Sequence, residues 1–350
     1  MTYLRNSHHR RHRQRGARHR RYTSAMRAVT FDVGPGITAI DTQMAGRDRS
    51  TAAYLLHDEE TTIVETGPTT SVEPVTEGLA SLGVGPSDLA NVVLTHIHLD
   101  HAGGVGRLAA AFPRATIWVH ERGAPHLADP TKLVASATRV YGEERMAAWF
   151  GPVEAVAQDR LKAVEDGERI QLRSRDLEVL YTPGHASHHV ALVDSESGAV
   201  LTGDALGIHV PDLPVLRPAT PPPDFDLELA LDSIERIRSR ATSVLLFAHF
   251  GPIHDVDRTC DLAEQRVRSW AEAVREALET TDDLDEIAER LVRESARDIE
   301  TGSEAELDLD ALEERLQLLS SIRMNAMGLM RYWARRRDPE RAGEEPSQPS

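Results

Sequence analysis

The chain of 350 residues is nearly free of cysteine, which excludes one way of stabilising a fold. Its single cysteine, Cys260, has no partner with which to form an intramolecular disulfide. Disulfide frameworks are typical of oxidising compartments, whereas a lone thiol suits the reducing cytoplasm. The basic N-terminus is not followed by an apolar stretch, so we expect no secretory signal peptide. We therefore predict a cytoplasmic protein whose fold depends on its apolar core.

Long apolar runs are also missing from the sequence. No segment approaches the ~20 consecutive apolar residues that are needed to span a bilayer, so we expect no membrane partner. Hydrophobic residues nevertheless make up 40% of the chain, which is ordinary for a globular protein. A chain of this length can bury a large core in one or two domains.

Lysine is scarce as well, because only Lys132 and Lys162 occur and the other basic residues are arginine. Eight arginines and no acidic residue lie within residues 1–25; since the whole chain carries −16, residues 26–350 carry −24. Residues 1–25 lack apolar periodicity, and we expect them to be disordered. This basic tail could bind a polyanion, or it could be a non-essential extension. The acidic remainder argues against a nucleic-acid partner.

What the sequence does contain is a dense run of metal-binding side chains after the apolar residues 92–94. Three imidazoles and one carboxylate fall within six residues, at His96, His98, Asp100 and His101. These are ligands of Zn, Fe and Mn, and so dense a cluster is costly unless a cation neutralises it. Alternation puts His96 and His98 on one side of an extended segment, and Asp100 and His101 then turn toward a second position, which suggests two adjacent metal sites. Solvated polar residues on a loop are the alternative interpretation.

This H-x-H-x-D-H pattern resembles the metal-binding signature of the metallo-β-lactamase fold superfamily. Three later motifs are similar to those of the family and follow in its order: Tyr181-Thr182-Pro183-Gly184-His185, Leu201-Thr202-Gly203-Asp204 and Phe247-Ala248-His249-Phe250-Gly251. The resemblance covers roughly residues 26 to 255. It implies one metal site held by His96, His98 and His185, and a second held by Asp100, His101 and His249, with Asp204 bridging the two.

The resemblance further implies a hydrolase with two divalent metal ions, with Zn²⁺ expected and Fe or Mn as alternatives. Two such cations ~3.5–4 Å apart can share a hydroxide made from water at neutral pH. Asp100 would help to orient this hydroxide, which would attack an ester-like bond. No G-x-S-x-G nucleophile motif is present.

The sequence around 112–121 and 184–189 is more similar to glyoxalase-II-like and lactonase-like members than to nucleases. We therefore expect a small-molecule thioester or lactone as substrate. A phosphodiesterase or nuclease of the same fold remains an alternative, as does a diiron or mono-iron relative that handles oxygen or sulfur.

One residue departs from the family pattern. The early turn of the family usually reads Asp-Thr-Gly, whereas this chain has Glu65-Thr66-Gly67. The resemblance implies that this carboxylate supports a metal ligand, and the extra methylene of Glu65 could shift that ligand. Four further residues lie near the ligand motifs or in a proline-rich segment and are candidate substrate contacts: His188, His189, His209 and Arg217.

The remaining pattern predicts the fold class and the domains. Strand-like runs in 29–64 and 170–201 alternate with helical patterns near 75–82, 108–112, 129–150 and 226–240, which predicts an α/β protein. The resemblance implies a four-layer αββα sandwich, here over residues 26–258. Beyond it we expect a C-terminal helical extension over 259–337, whose apolar stripes could form a pocket wall or a homodimer surface, and a disordered tail over 338–350. The proline-rich segment 211–223 should lack regular structure and lie beside the active site.

Overall fold

The computed structural model describes residues 29–210, 215–295 and 316–337. The predicted tails, 1–25 and 338–350, lie outside these ranges, as does the first part of the proline-rich segment. Within the described residues, no helix combines the length and the apolarity that crossing a membrane requires.

Seven strands form the first sheet, in the order in which they follow along the chain: β1 (Thr30–Gly34), β2 (Ile37–Asp41), β3 (Ala52–Leu56), β4 (Thr62–Val64), β5 (Asn91–Val93), β6 (Thr116–His120) and β7 (Leu161–Val164). The first four strands pair antiparallel, as expected for short runs that are separated by turns. The pairs from β4 to β7 are parallel. Parallel neighbours need a long crossover connection, and helices supply it here.

The helices with both ends in the described ranges are α1 (Val72–Ser81), α2 (Leu99–Ala102), α3 (Val105–Ala111), α4 (Ala124–Ala128), α5 (Thr131–Arg145), α6 (Leu227–Arg240), α7 (Val256–Ala277), α8 (Leu284–Ser295) and α9 (Ile322–Arg337). The helix predicted over 129–150 is thus α5, and it continues into a wider π-helical turn, Met146–Phe150. The first helix of the predicted C-terminal extension, α7, begins three residues before the expected boundary.

The second sheet contains β8 (Arg169–Gln171), β9 (Asp176–Tyr181), β10 (Val190–Asp194), β11 (Val200–Gly203), β14 (Leu245–Phe247) and β15 (Pro252–Ile253). Its spatial order is β15-β14-β11-β10-β9-β8. Since β10 is antiparallel to both β9 and β11, and β11 is parallel to β14, the strands β9, β11 and β14 run in the same direction. Their carboxyl ends therefore lie at one edge of the sheet.

A separate hairpin corrects one prediction from sequence. Strands β12 (Ile208–Val210) and β13 (Val215–Arg217) pair antiparallel, so the proline-rich segment is not wholly irregular. The reason is local: 215–217 contains no proline, and its backbone is therefore free to pair with β12. The prolines at 218 and 221–223 follow the strand and leave the sheet geometry.

Three apolar cores hold the layers together. The core between the two sheets takes side chains from both of them: Ala39, Tyr54 and Val93 from the first, and Val179, Leu192 and Leu246 from the second. A second core lies between the first sheet and helices α1 and α3. The third lies between the second sheet and helices α6 to α9. Because both faces of each sheet are covered, its strands read as nearly continuous apolar runs. The predicted αββα sandwich with C-terminal helices is confirmed.

Candidate metal centre

The candidate ligands lie at the carboxyl ends of four strands. His96 and His98 follow β5, and Asp100 and His101 form part of the short helix α2. The other three come from the second sheet, after β9, β11 and β14 respectively: His185, Asp204 and His249. Since those three strands end at the same edge, residues that are far apart in sequence meet next to the loop after β5. The four sequence motifs therefore converge in space.

The first group consists of His96, His98 and His185, whose nitrogens lie within 4.8 Å of one another. Nδ1 of His185 donates to the carbonyl oxygen of Ala219 at 3.1 Å, so the lone pair of this neutral imidazole is on Nε2. That Nε2 lies 2.9 Å from Nδ1 of His98. Two imidazole nitrogens come so close when a proton or a cation lies between them.

The second group consists of Asp100, His101 and His249, whose ligand atoms also lie within 4.8 Å of one another. Nδ1 of His249 donates to the carbonyl oxygen of Ser50 at 3.2 Å, which leaves the lone pair on Nε2. This Nε2 lies 3.6 Å from Oδ2 of Asp100. The second group therefore offers two nitrogens and one carboxylate.

Asp204 lies between the two groups. Its Oδ2 is 3.6 Å from Nε2 of His185, a member of the first group. Its Oδ1 is 3.4 Å from Nε2 of His101 and 3.5 Å from Nε2 of His249, both members of the second group. One carboxylate thus faces both groups with different oxygens.

The atoms that face this space fit a set of cation ligands. Nε2 of His96, His101 and His249 and Oδ1 of Asp204 are buried and have no hydrogen-bond partner among the described residues. A buried polar atom without a partner costs roughly 1–3 kcal/mol. Several such atoms converging on one space are accounted for by cations, and mixed nitrogen and oxygen donors suit Zn²⁺ and other divalent ions.

The charge states of the side chains agree with this donor set. Burial, together with the nearby His185, lowers the pKa of His98 to about 4, so this imidazole is neutral at pH 7. Burial opposes ionisation of Asp100, but His101 and His249 outweigh it and lower the pKa of Asp100 to about 2. Burial also disfavours a charged His101, but Asp204 and Asp100 raise its pKa well above the ordinary value. A cation entering the second group would displace that proton.

A cavity of about 320 Å³ opens next to these residues and is lined by His98, Asp100, His185 and Asp204. Its opposite wall comes from α5 and the turn after it, through Leu133, Val140, Tyr141 and Phe150. The C-terminal part contributes a further wall with Leu319 and Met324. Sequence reasoning missed the α5 wall. The sequence does contain a signal for it, since α5 carries apolar residues at helical spacing, and the structure shows that none of them is fully buried.

The structure brings one of the four predicted substrate contacts to this cavity. His188 lines it, with Nδ1 3.5 Å from the backbone nitrogen of Ile97. His209 does not line it, because successive strand residues point to opposite faces: Ile208 faces the cavity, and Nδ1 of His209 donates to the carbonyl oxygen of Phe250 at 2.9 Å.

His189 and Arg217 also lie away from the cavity. Nε2 of His189 accepts from the backbone N–H of Asp204 at 3.0 Å, and its Nδ1 lies 2.9 Å from Oγ1 of Thr182. His189 therefore helps to hold the backbone of the candidate ligand Asp204 in place. The guanidinium of Arg217 lies over the ring of Trp270, 5.9 Å from its centroid, and the residue is 2% exposed. The position of His189 near a ligand motif and of Arg217 in the proline-rich segment does not reveal that their side chains point away from the cavity.

A sequence model described as the metallo-beta-lactamase superfamily matches residues 46–249, more than half of the chain. The chain belongs to this superfamily of metal-dependent hydrolases.

Two curated relatives illustrate the similarity. A hydroxyacylglutathione hydrolase of Synechococcus sp. (strain JA-3-3Ab) is 33% identical over 158 residues, which is 45% of this chain and 50% of the relative. A metallo-beta-lactamase fold-containing protein of Sulfurisphaera tokodaii is 31% identical over 163 residues, which is 46% of this chain and 60% of the relative. The matched region thus spans only half to three fifths of these proteins.

Solved structures show the same fold. An archaeal metallo-beta-lactamase superfamily protein from Sulfolobus tokodaii superposes with a TM-score of 0.59 at 22% identity, covering 86% of this chain and 97% of that one. A metallo-beta-lactamase family protein from Thermus thermophilus gives a TM-score of 0.57 at 22% identity, with 89% of this chain and 94% of that one covered.

Proposed function

We propose that this protein is a binuclear metal-dependent hydrolase that cleaves an ester-like bond, a thioester or a lactone, in a small molecule. One observation carries the proposal: two groups of buried and partly buried nitrogen and oxygen donors lie on either side of Asp204, which faces both, and they border a cavity of about 320 Å³. A cavity of this size suits a small molecule.

In this proposal each group holds one divalent cation. His96, His98 and His185 would hold the first, Asp100, His101 and His249 would hold the second, and Asp204 would contribute to both. When bound, such cations supply a water of lowered pKa and polarise the scissile carbonyl. Zn²⁺ is the expected metal, with Fe or Mn as alternatives.

The protein supplies positioning. Oδ2 of Asp100 faces the centre and can accept a hydrogen bond from the attacking water, which orients its lone pair toward the acyl carbon. The apolar wall from α5 confines the substrate beside the ligands. No step requires a serine or cysteine nucleophile, and Cys260 is buried outside the residues that line the cavity.

The thioester preference rests on the relatives. The name of the Synechococcus relative denotes hydrolysis of an acylated glutathione, and the acyl group of such a compound is joined through sulfur. Since the match covers half of that relative, we carry over only the bond type and not the glutathione.

The test is hydrolysis by the protein reconstituted with Zn²⁺, on simple acyl thioesters, γ-lactones and bis(4-nitrophenyl) phosphate. We expect turnover of a thioester or a lactone, and its loss in His249→Ala. His254→Ala is the matched control, because His254 is exposed and is not one of the candidate ligands. Turnover of the phosphodiester alone would favour the alternative activity and contradict our proposal, as would turnover that survives in His249→Ala.

A further inference from the structure

The rim of the cavity carries two basic side chains. Arg122 follows strand β6, Lys132 lies in the first turn of α5, and both are exposed while lining the cavity. Lys132 is one of only two lysines in a chain with a net charge of −16. We call this pair the basic rim.

Neither member of the basic rim forms an ion pair with a carboxylate in the described part of the chain. Asp129, three residues before Lys132, accepts hydrogen bonds at Oδ1 from the backbone and hydroxyl of Thr131. The guanidinium of Arg122 lies over the ring of Tyr181, 6.0 Å from its centroid.

The acidic residues of the cavity do not cancel this positive charge. Asp100 and Asp204 face the candidate metal centre, where divalent cations would more than neutralise them. The third acid, Asp224, accepts hydrogen bonds at Oδ2 from the backbone and hydroxyl of Ser187 and keeps its negative charge, but this one carboxylate is outnumbered by the two cations of the basic rim. A concave site with a net positive potential raises the local concentration of anions and their rate of entry.

We propose that the substrate carries an anionic group, which the basic rim binds while an apolar portion lies along the α5 wall and the scissile carbonyl lies at the ligands. This inference rests on the proposed hydrolase function and deepens it. In the reaction, water oxygen bonds to the acyl carbon, the C–S bond breaks, and the sulfur leaves. The products are a carboxylate and a thiol, with one proton released.

Two thioesters of matched size test the charge preference: the butanoyl thioester of 3-mercaptopropionate, which is anionic, and that of 3-mercaptopropanamide, which is neutral. The readout is the ratio of their kcat/KM values, so that any general loss of activity in a variant cancels. We expect the wild-type ratio to favour the anion. It should fall about two- to fivefold in Arg122→Gln and in Lys132→Gln, and further in the double variant.

Lys162→Gln is the matched control, because Lys162 is the other lysine, is exposed and does not line the cavity. The preference should also shrink between 0.01 and 0.15 M ionic strength, as the screening length falls from about 30 Å to about 8 Å. Equal kcat/KM for both thioesters, or ratios unchanged in the double variant, would overturn the proposal that the basic rim binds an anionic group. The proposed hydrolase function would still stand. If neither thioester nor any lactone is cleaved, the hydrolase proposal itself fails.

A second inference comes from helix α9. The buried side chain of Asn325 accepts at Oδ1 from the backbone N–H of Thr220 at 2.6 Å and from its hydroxyl at 3.0 Å. Its Nδ2 donates to Oγ of Ser320 at 2.8 Å. Both ends of this amide are therefore engaged, and its orientation is fixed.

Thr220 is adjacent to the residue that orients a candidate ligand. Ala219 supplies the carbonyl oxygen that accepts from Nδ1 of His185 at 3.1 Å. Gly328 lets α9 approach this segment, since a Cβ there would clash with the carbonyl oxygen of Thr220. The C-terminal helix thus holds the loop that fixes the tautomer and the ring direction of His185.

We infer that Asn325 is a positioning residue for the metal centre, acting through Thr220 and Ala219 on His185. The test is Asn325→Leu, which is close in size and lacks both hydrogen bonds, in protein reconstituted with Co²⁺. We expect the visible absorption of bound Co²⁺ to change and the affinity of the weaker site to fall about tenfold or more. Asn325→Asp keeps the acceptor for Thr220 and should recover most of the affinity.

Tyr332→Phe is the control on the same helix, because it removes a hydrogen bond to Glu228 that does not involve the cavity. It should lower the melting temperature without changing the Co²⁺ spectrum. If Asn325→Leu destabilises the fold but leaves the spectrum and the metal affinity as in wild type, Asn325 is merely structural and the inference is wrong.

Discussion

Oε2 of Glu65 lies 3.4 Å from Nδ1 of His101, while its Oε1 accepts from the backbone N–H of Thr95 at 3.0 Å. The glutamate that stands where the family usually has aspartate therefore still reaches both the ligand and the loop that carries the ligands. Its backbone has a φ of 70°, a left-handed conformation that is uncommon for a residue with a side chain. The extra methylene is accommodated, and the support of His101 is kept.

Shortening this side chain should weaken the centre. In Glu65→Asp the carboxylate cannot keep both contacts from the same backbone position, so we expect metal affinity to fall about tenfold or more. The affinity is measured by competition with a chromophoric chelator. Glu77→Asp makes the same chemical change at an exposed position of α1 and should have no effect. An unchanged affinity in Glu65→Asp would show that His101 needs no carboxylate behind it.

Removal of the His189 imidazole should weaken metal binding and leave substrate binding unchanged. In His189→Ala the backbone N–H of Asp204 and the hydroxyl of Thr182 lose a buried partner, which costs roughly 1–3 kcal/mol of stability. We expect a lower metal content after gel filtration. A variant with full metal content and a raised KM would instead restore the role predicted from sequence, a substrate contact.

Arg217 should matter for stability and not for substrate binding. The side chain is 2% exposed, lies over Trp270 and donates from Nη1 to the carbonyl oxygen of Ser320 at 3.4 Å. Arg217→Met should lower the free energy of unfolding in urea by about 1–3 kcal/mol. Its KM should match that of the wild type at a temperature where both are folded. A higher KM with unchanged stability would contradict this prediction and indicate that Arg217 contacts the substrate.

The metal-free protein should lose stability as the pH falls from 7 to 5. His98 has its pKa lowered to about 4, mainly by burial, and burial also lowers the pKa values of His96, His185 and His189. Below the ordinary value of about 6.5, the unfolded chain therefore binds more protons at these positions than the folded chain does, and stability falls with pH. His101, with its raised pKa, has the opposite sign but is a single residue against several, since burial also lowers the pKa values of His188 and His120.

Urea unfolding of the metal-free protein at pH 5, 6 and 7 checks this slope. A free energy of unfolding that is constant or rises toward pH 5 would mean that the imidazoles are solvated and protonated in the folded state. The donor set would then not be preorganised for a cation.

The ligand motifs could be found from sequence because each follows an apolar strand within a few residues. Three ligands each follow a strand of the second sheet within a few residues: His185 after β9, Asp204 after β11 and His249 after β14. Predicting the strands therefore also placed these side chains at one edge of the sheet. The strand β3 lies within the strand-like runs predicted in 29–64, and all five of its residues are buried.

The sequence does not reveal which way a side chain points or which residues far apart in the chain are in contact. His209 and Ile208 are neighbours on one strand, and only the register of the hairpin decides which of them faces the cavity. Asn325 and Thr220 are 105 residues apart, and nothing in either local sequence indicates their hydrogen bond. Such contacts depend on how the C-terminal helices dock, which is set by the whole core and not by a motif.

Titration of the metal-free protein with Zn²⁺ is the sharpest test of the proposal that seven side chains hold two cations. Bound metal is counted by mass spectrometry, and thioester or lactone hydrolysis is followed at each point. We predict two Zn²⁺ per chain, with full activity at the second equivalent, and a stoichiometry below two in Asp204→Ala because that variant removes the shared carboxylate. Full activity at one equivalent, or two tightly held Zn²⁺ in Asp204→Ala, would contradict the proposal of a binuclear site that depends on Asp204.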